Sequence, residues 1–464
     1  MRWKNYLAAR YGKHLWRDKQ MREVTTFKGT YPQETYSEAM DTDRLLGAER
    51  PMFFVPGAGQ QTLGSKAQKW TQWGPFLICD EFYGWYDEAL DLRRTAVIGD
   101  WSPINKFNLT GPDVHAYVQY LQTRGDVKNI EIGQSMYTLM TREDGMLVHD
   151  PLITRTGEDS YRITPDQADK WLAHVAETGK FDVQIEDIRT KYALFSLQGP
   201  NSTKILNNAT NEPWDDVKFS RFKISKIAGV ELEINRQGFT GEVGYELMVG
   251  AADANTVLEH LVKVGKAHGI GWLGNYTSRL TRAEAGLVML HFDYQCAFDG
   301  NPGILRRNQL DPAMSIVSPF ELNLDYLVHL KREDDFVGKA ALQKIMDNGG
   351  PAKRMKGLIW NPDDVAELFA AQFRDAPSPP PIRFPHPVYP EAHDIMHGGG
   401  HVGWATSVCY SPTLRRVFSY GRMNTDLCVA GNEVTINWGG RDGPTMHIRA
   451  EVVDTPFVSR KRSQ

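Results

Sequence analysis

Few residues in this sequence have the type and spacing to do chemistry. Within DGMLVHDPLI, His149 and Asp150 set an imidazole beside a carboxylate, a pair able to move protons or stabilise developing positive charge. Taken alone, Asp150 reads more readily as a turn or capping residue than as a site acid. The glycines of GFTGEVGYEL permit tight turns and close approach of a ligand. At the end of that motif Glu246 is either a binding carboxylate or a hydrated strand charge. Arg279 and Arg282 in GNYTSRLTRAEAG offer guanidiniums to an anionic ligand or to the protein's own acids. The run FYGWY at 82–86 and Trp101 supply flat apolar surfaces, for a ligand wall or for core packing. Cys79, Cys296, Cys409 and Cys428 are scattered with no CxxC pair, which reads as reduced thiols rather than a metal set or a disulfide framework. The GxG-like pieces lie in turns and form no strand–GxGxxG–helix fingerprint. No motif points to zinc or another metal, cobalamin, flavin or nicotinamide.

The 464 residues carry a net charge of -4, with 24% charged and 41% hydrophobic side chains, which excludes a disordered, collagen-like or disulfide-stapled chain. Length alone suggests about three domains. The balanced charge gives no basic footprint for nucleic acid. No stretch approaches a membrane span, and the basic, aromatic N-terminus lacks the apolar core of a secretory signal. Asp18 and Glu23 interrupt the acid-poor composition of a transit peptide, so the expected location is cytoplasmic. A homo-oligomer is compatible with the sequence.

The elements that must position these groups alternate along the body. A helix is expected over part of the first 24 residues, and 25–80 shows no sustained period. YDEALDLRRTAV has helical spacing, with IGD as its closing turn. PINKFNLTG reads as a short strand and turn, PDVHAYVQYLQTR as a helix, and SMYTLMTREDGMLVHDPLITRTGEDSYRIT as successive strands. Further helices follow at DQADKWLAHVAETG, after GPNS, and at ADANTVLEHLVKVGKAHG, with a meander over FKISKIAGVELEINRQGFTGEVGYELMVG. Connections too short for helical crossovers indicate antiparallel strands and an α+β class. DAPSPPPIRFPHPVYP and the HGGG at 397–400 break the pattern, and the short strands beyond suggest a C-terminal barrel or jelly roll.

In this order the segments resemble the tetrahydrofolate-dependent aminomethyltransferase family, founded on the glycine-cleavage T-protein. The matching pieces are LTGPDVHAYV, YTLMTREDGMLVHDPLI, ALFSLQGPNSTKIL, NRQGFTGEVGYEL, RAEAG, SPFELNLDYLVHLKREDDFVGKAAL, VGWATSVCYSPTLRRVFSYGRM and AEVVDTPFV. Each is weak alone, whereas their joint order over about 85–458 is specific. The resemblance implies a three-domain, ring-like α+β subunit with a central folate site. The expected parts are an N-terminal extension (1–80), two interleaved folate-binding domains (81–345) and a C-terminal β-rich domain (346–464).

The resemblance also assigns residues. Asp150 matches the second Asp of the family's G-G-I-I-D-D-L, with His149 at the first acid's position. Tyr137, Leu152, Phe239 and Glu246 match positions around the folate, with Glu246 on the pterin's amide edge. Phe239 stands where the family often has Tyr, and INKF after Trp101 replaces its usual S-H-M-G. Arg282 matches the arginine of L-R-L-E-A-G and Arg279 lies near another, both candidates for the folate's glutamate tail. His149, the long chain and the aromatic residues resemble the folate-dependent O-demethylase branch. On that reading the enzyme demethylates a small methoxylated aromatic acid or phenol, with tetrahydrofolate as methyl acceptor. Tyr83, Trp85 and Trp101 would line the substrate wall, and His149, a pocket tyrosine or a nearby histidine such as His291 would donate a proton to the leaving oxygen. The alternatives are sulfonium or methylamine demethylation, aminomethyl transfer, and a noncatalytic folate-binding protein.

Overall fold

Two sheets turn polar faces towards each other, and strand alternation shows why. The computed structural model describes residues 53–461 except 65–68, 74–75, 166–167, 299–315, 385–391 and 440–442. The helix expected in the first 24 residues lies outside the described residues. A five-stranded sheet runs in the order Gln184–Asp187, Phe107–Thr110, Ser160–Thr164, Leu152–Gly157, Ser135–Tyr137. Phe107, Leu109, Ile153, Tyr161 and Ile163 project from one face into a core shared with the helices Val114–Leu121 and Asp169–Gly179. Their neighbours in sequence must point the other way. Asn108, Arg162, Thr154 and Ser135 accordingly stand side by side in register on the opposite face.

The second sheet has six strands in the order Phe222–Ile227, Val230–Asn235, Gly244–Gly250, Tyr192–Gln198, Ala96–Asp100, Ile270–Trp272. Phe195, Leu197, Ile234, Tyr245, Leu247 and Val249 pack against the helices Ser202–Thr210 and Ala254–Gly265. The other face carries Asn235, Glu246 and Ser196 in one lateral row. Asn235 Nδ2 donates to Ser135 Oγ at 2.9 Å and Arg162 pairs with Glu233, so the two polar faces meet.

Two local expectations fail for physical reasons. The helix at Trp85 stops at Arg94, and Ala96–Asp100 is a strand buried at every residue, where the helical spacing had carried the helix through Val97 and read IGD as a turn. A strand covered on both faces shows no alternation for a sequence reading to detect. Just before the helix Ser202–Thr210, Gly199 has φ 119°, and a Cβ there would lie 2.8 Å from Ala96 Cα and Thr95 O, space that only glycine leaves. The region 25–80, read as irregular, contains the helix Ala58–Gly64 and a sheet ordered Phe53–Phe54, Phe76–Glu81, Lys69–Trp73. These pieces are too short to show a period.

The C-terminal strands, from Lys353–Trp360 to Thr445–Val453, form a closed six-stranded barrel rather than a jelly roll, filled by residues such as Leu358, Trp360, Ile395, Ile436 and Ile448. Among the described residues no helix is long and apolar enough to cross a membrane. Body and barrel are joined through Arg282 of the helix Asn275–Glu284. Its guanidinium, buried, donates to Asp293 at 2.5 Å and to Ser407 Oγ at 2.7 Å, while Thr406 and Ser407 donate to Asp293 at 2.8 and 2.6 Å. Removing one member strands a charge without water. Arg282→Met should therefore lose about 3–5 kcal/mol in urea unfolding. A loss under about 1 kcal/mol would fit a ligand-directed arm instead.

Candidate functional site: a carboxylate held by two tyrosines

Asp150 lies between the strands Leu147–His149 and Leu152–Gly157, with its carboxylate 11% exposed. Tyr137 Oη donates to Asp150 Oδ2 at 2.7 Å, and Tyr294 Oη donates to Oδ1. Burial pushes the Asp150 carboxyl up to about 6, against the two phenol donors and the charge of Arg282, which favour the ionised form. Burial and the neighbouring carboxylate push the Tyr294 phenol up in turn, so it stays a donor. The backbone N–H of Asp150 donates to His149 Nδ1 at 2.8 Å. That nitrogen is therefore the acceptor, and the neutral ring carries its proton on Nε2.

Tyr137 shares its strand face with Ser135, two residues or about 7 Å away. Ser135 meets Asn235 across the sheets, and Asn235 pairs in register with Glu246, so the strand of Tyr137 and the Glu246 row lie on the two polar faces that meet. The Glu246 carboxylate has no hydrogen-bond partner among the described residues. Burial pushes it up to about 7, opposed by Lys106 and Arg162 and reinforced by Glu233. Ser196 Oγ and Asn235 Oδ1, flanking it, are also buried without a partner among the described residues. Lys106 is fully buried, with Nζ donating to the carbonyls of Ser102 and Ile104 at 3.1 and 2.8 Å, and burial pushes it down to about 7. Unpaired polar atoms in dry protein are costly unless a ligand or water completes them. A row of acceptors beside a carboxylate fits the amide and amine edge of a reduced pterin, so these residues suit a bound folate.

The structure gathers some predicted residues and separates others. Tyr137, Asp150 and Leu152 share one surface, Leu152 pairing in register with Tyr137. Trp101 and Phe239 meet edge to face at 4.5 Å and pack with Leu194 and Met248, on the Glu246 side of the six-stranded sheet. The three expected wall residues do not form one wall. Tyr83 packs against the helix-side core and donates to Asp91 at 2.7 Å, while Trp85 packs among Tyr276, Phe384 and Tyr410 where the body meets the barrel. Arg279 is paired with Asp80 at 2.9 Å, and Arg282 is spent on the joint described above. Gly238 and Gly244 make room for the Gln198 side chain, which comes within 2.0 and 2.3 Å of a built Cβ. Sequence reasoning missed Tyr294, Ser196, Asn235 and Lys106. For Tyr294 the available signal was the HFDYQ segment just after RAEAG.

Residues 42–299 match the GCVT N-terminal domain, and residues 382–459 match the glycine cleavage T-protein C-terminal barrel domain. The chain belongs to the glycine-cleavage T-protein family. Family members carry out folate-dependent one-carbon transfer. An aminomethyltransferase of Halalkalibacterium halodurans is 30% identical over 390 residues, covering 83% of this chain and 93% of that relative. A sesamin methylene transferase of Sinomonas is 27% identical over 423 residues, covering 82% and 91%. The solved aminomethyltransferase T of the Bartonella henselae glycine cleavage system has the same fold, with a TM-score of 0.69 at 20% identity, covering 89% of this chain and 100% of that one.

The raised Asp150 carboxyl has a consequence for stability. Its value moves from an ordinary 3.8 to about 6 in the folded state, so the native protein binds that proton more tightly than the unfolded chain. The contribution of Asp150 to stability therefore falls as pH rises from about 4 through 6. Asp150→Asn should gain stability relative to the parent between pH 5 and 7.5, by on the order of 1–3 kcal/mol in urea unfolding. A difference that stays constant over that range would place Asp150 in the ordinary carboxylate range.

Proposed function

We propose that this chain transfers a one-carbon unit to tetrahydrofolate between the two sheets, with Asp150 at the reacting nitrogen and Glu246 on the pterin's amide edge. The observation that carries this reading is the buried carboxylate held by Tyr137 and Tyr294, beside the polar faces of the two sheets that meet at Ser135 and Asn235, the latter face carrying the unpartnered Glu246. When bound, tetrahydrofolate supplies a nucleophilic nitrogen. Tyr137 and Tyr294 fix Asp150 so that its charge stands ready without reorganisation, which is worth most where water is excluded. Leu152 offers an apolar contact. Trp101 and Phe239 shield the Glu246 side from water, and Phe239 does so without a phenol to donate.

The transferred unit is proposed to be at the methylene level, taken from an aminomethyl donor. The support is the set of curated relatives, which includes aminomethyltransferases 25–30% identical over at least 80% of the chain and a methylene transferase. This reading displaces O-demethylation, expected from His149 and the aromatic residues, as the leading one. Methyl transfer from a methoxylated aromatic or phenol stands second, favoured by the Nε2–H of His149, a proton donor suited to a departing oxygen.

Mass spectrometry of the folate product separates the two. Incubation with an aminomethylated dihydrolipoyl donor should yield methylenetetrahydrofolate and ammonia, and Asp150→Asn should slow this by at least about 100-fold. Methyltetrahydrofolate from methoxybenzoates or methylated phenols would favour the second reading. Neither product, with folate binding demonstrated, would sink both.

Glu246 gives an independent binding test. Lys106, Arg162 and Glu233 are the charged groups acting on it, and it takes up a proton near pH 7. Tetrahydrofolate affinity, read by calorimetry, should fall as pH drops from 8 to 6. Glu246→Gln should bind about tenfold more weakly at pH 8 and lose most of that pH dependence. Unchanged affinity would remove Glu246 from the pterin.

A further inference from the structure

Beyond the strand Thr445–Val453 the chain turns back from the barrel to the body. Phe457 packs on Phe418 at 4.5 Å and stacks on Tyr420 at 6.0 Å, which anchors this tail to the barrel wall. The last carbonyls of a helix have no partner within it, and at the end of Asn275–Glu284 they are met from far along the chain. Tyr420 Oη donates to the Ala283 carbonyl at 2.9 Å, and the Val458 N–H donates to that of Glu284 at 3.1 Å. Arg460 donates from Nε to the Ala285 carbonyl at 2.7 Å and from Nη2 to that of Gly286 at 3.0 Å. A guanidinium suits the partial negative charge of a helix C-terminus.

The same tail reaches the glycine turn that leads to Glu246. The Lys461 N–H donates to the Gly241 carbonyl at 2.6 Å, and the Lys461 ammonium lies 3.4 Å from Glu242. Gly241 in turn lies against the helix end, since a Cβ built on it would come 3.1 Å from Ala285 Cβ. Arg93 crosses the same two segments, donating to the Thr240 carbonyl at 2.8 Å and pairing with Glu242 at 3.2 Å and Glu284 at 2.5 Å. Each segment leads to the site. The glycine turn carries Phe239, packed on Trp101, and runs into the strand of Glu246. The helix end runs into the turn that delivers Tyr294 to Asp150, where the His291 N–H donates to the Tyr294 carbonyl at 2.8 Å.

We infer that Arg460 and the backbone N–H of Lys461 are positioning groups of the transfer site, clamping the turn of Phe239 to the helix end that precedes Tyr294. This rests on the one-carbon reading above for what the site binds. Neither group touches a reactant. Arg93 holds the glycine turn by one carbonyl and the helix end by a side chain, whereas the tail bonds the backbone of both and so fixes the path of the chain. Misplacement by about 1 Å in such a site can cost about 100-fold in rate.

Carbon-13 NMR of the Asp150 carboxyl and calorimetry with tetrahydrofolate read this clamp where melting alone would not. Arg460→Met should raise the Asp150 midpoint from about 6 to about 6.5 or above as Tyr294 loosens, and weaken tetrahydrofolate binding about tenfold. Arg460→Lys keeps the charge without the fork and should fall between that variant and the parent. Lys461→Pro removes the N–H and should weaken binding about fivefold or more, whereas Lys461→Ala keeps it and should stay within about twofold. A tail that only stabilises the fold would lower the melting temperature and leave midpoint and affinity at their parental values. That result in folded Arg460→Met and Lys461→Pro overturns the inference, as do equal losses in the two Lys461 variants. Should Arg460→Met fail to fold, Arg460→Lys and the Lys461 pair decide. A parent that binds no tetrahydrofolate would instead refute the one-carbon reading, while the Asp150 midpoints still decide the clamp.

Discussion

A carboxylate taken out of water must be held by donors or it accepts a proton. Asp150 is held by the hydroxyls of Tyr137 and Tyr294, and the surrounding structure serves that arrangement. The five-stranded sheet delivers Tyr137 on its polar face, and the turn after the Arg282 helix delivers Tyr294. Arg282 fixes that turn by its ion pair with Asp293 and ties it to the barrel through Ser407. The barrel therefore braces the site from outside.

The same constraint explains the polar layer between the sheets. Each sheet spends its apolar alternation on helices, so the faces that meet carry Ser135, Asn108, Thr154 and Arg162 opposite Asn235, Glu246 and Ser196. An apolar interior would have packed shut. This one closes where partners exist, as at Arg162 with Glu233, and leaves Ser196 Oγ and Asn235 Oδ1 beside Glu246 without a partner among the described residues.

Much of this was legible where the chemistry is local. Tyr137 and Glu246 sit in short strands and Asp150 between two others, in motifs that stand as linear patterns. The mixed class and the C-terminal β module followed from connection lengths and turn residues. What was not legible depends on distant partners. The Tyr294–Asp150 bond joins residues 144 apart, and no window of sequence contains both. Ala96–Asp100 lacks alternation because both faces are covered. Tyr83, Trp85 and Trp101 look alike in sequence, yet chain direction sends them to separate clusters. An arginine in a family motif likewise does not reveal that Asp293 and Ser407 already occupy its guanidinium.

Carbon-13 NMR titration of the Asp150 carboxyl tests the account most directly. The midpoint should lie near 6, rise in Tyr294→Phe as a donor to the ionised form is lost, and move when tetrahydrofolate is added. A midpoint in the ordinary carboxylate range, identical in the parent, in Tyr294→Phe and with folate present, would contradict it.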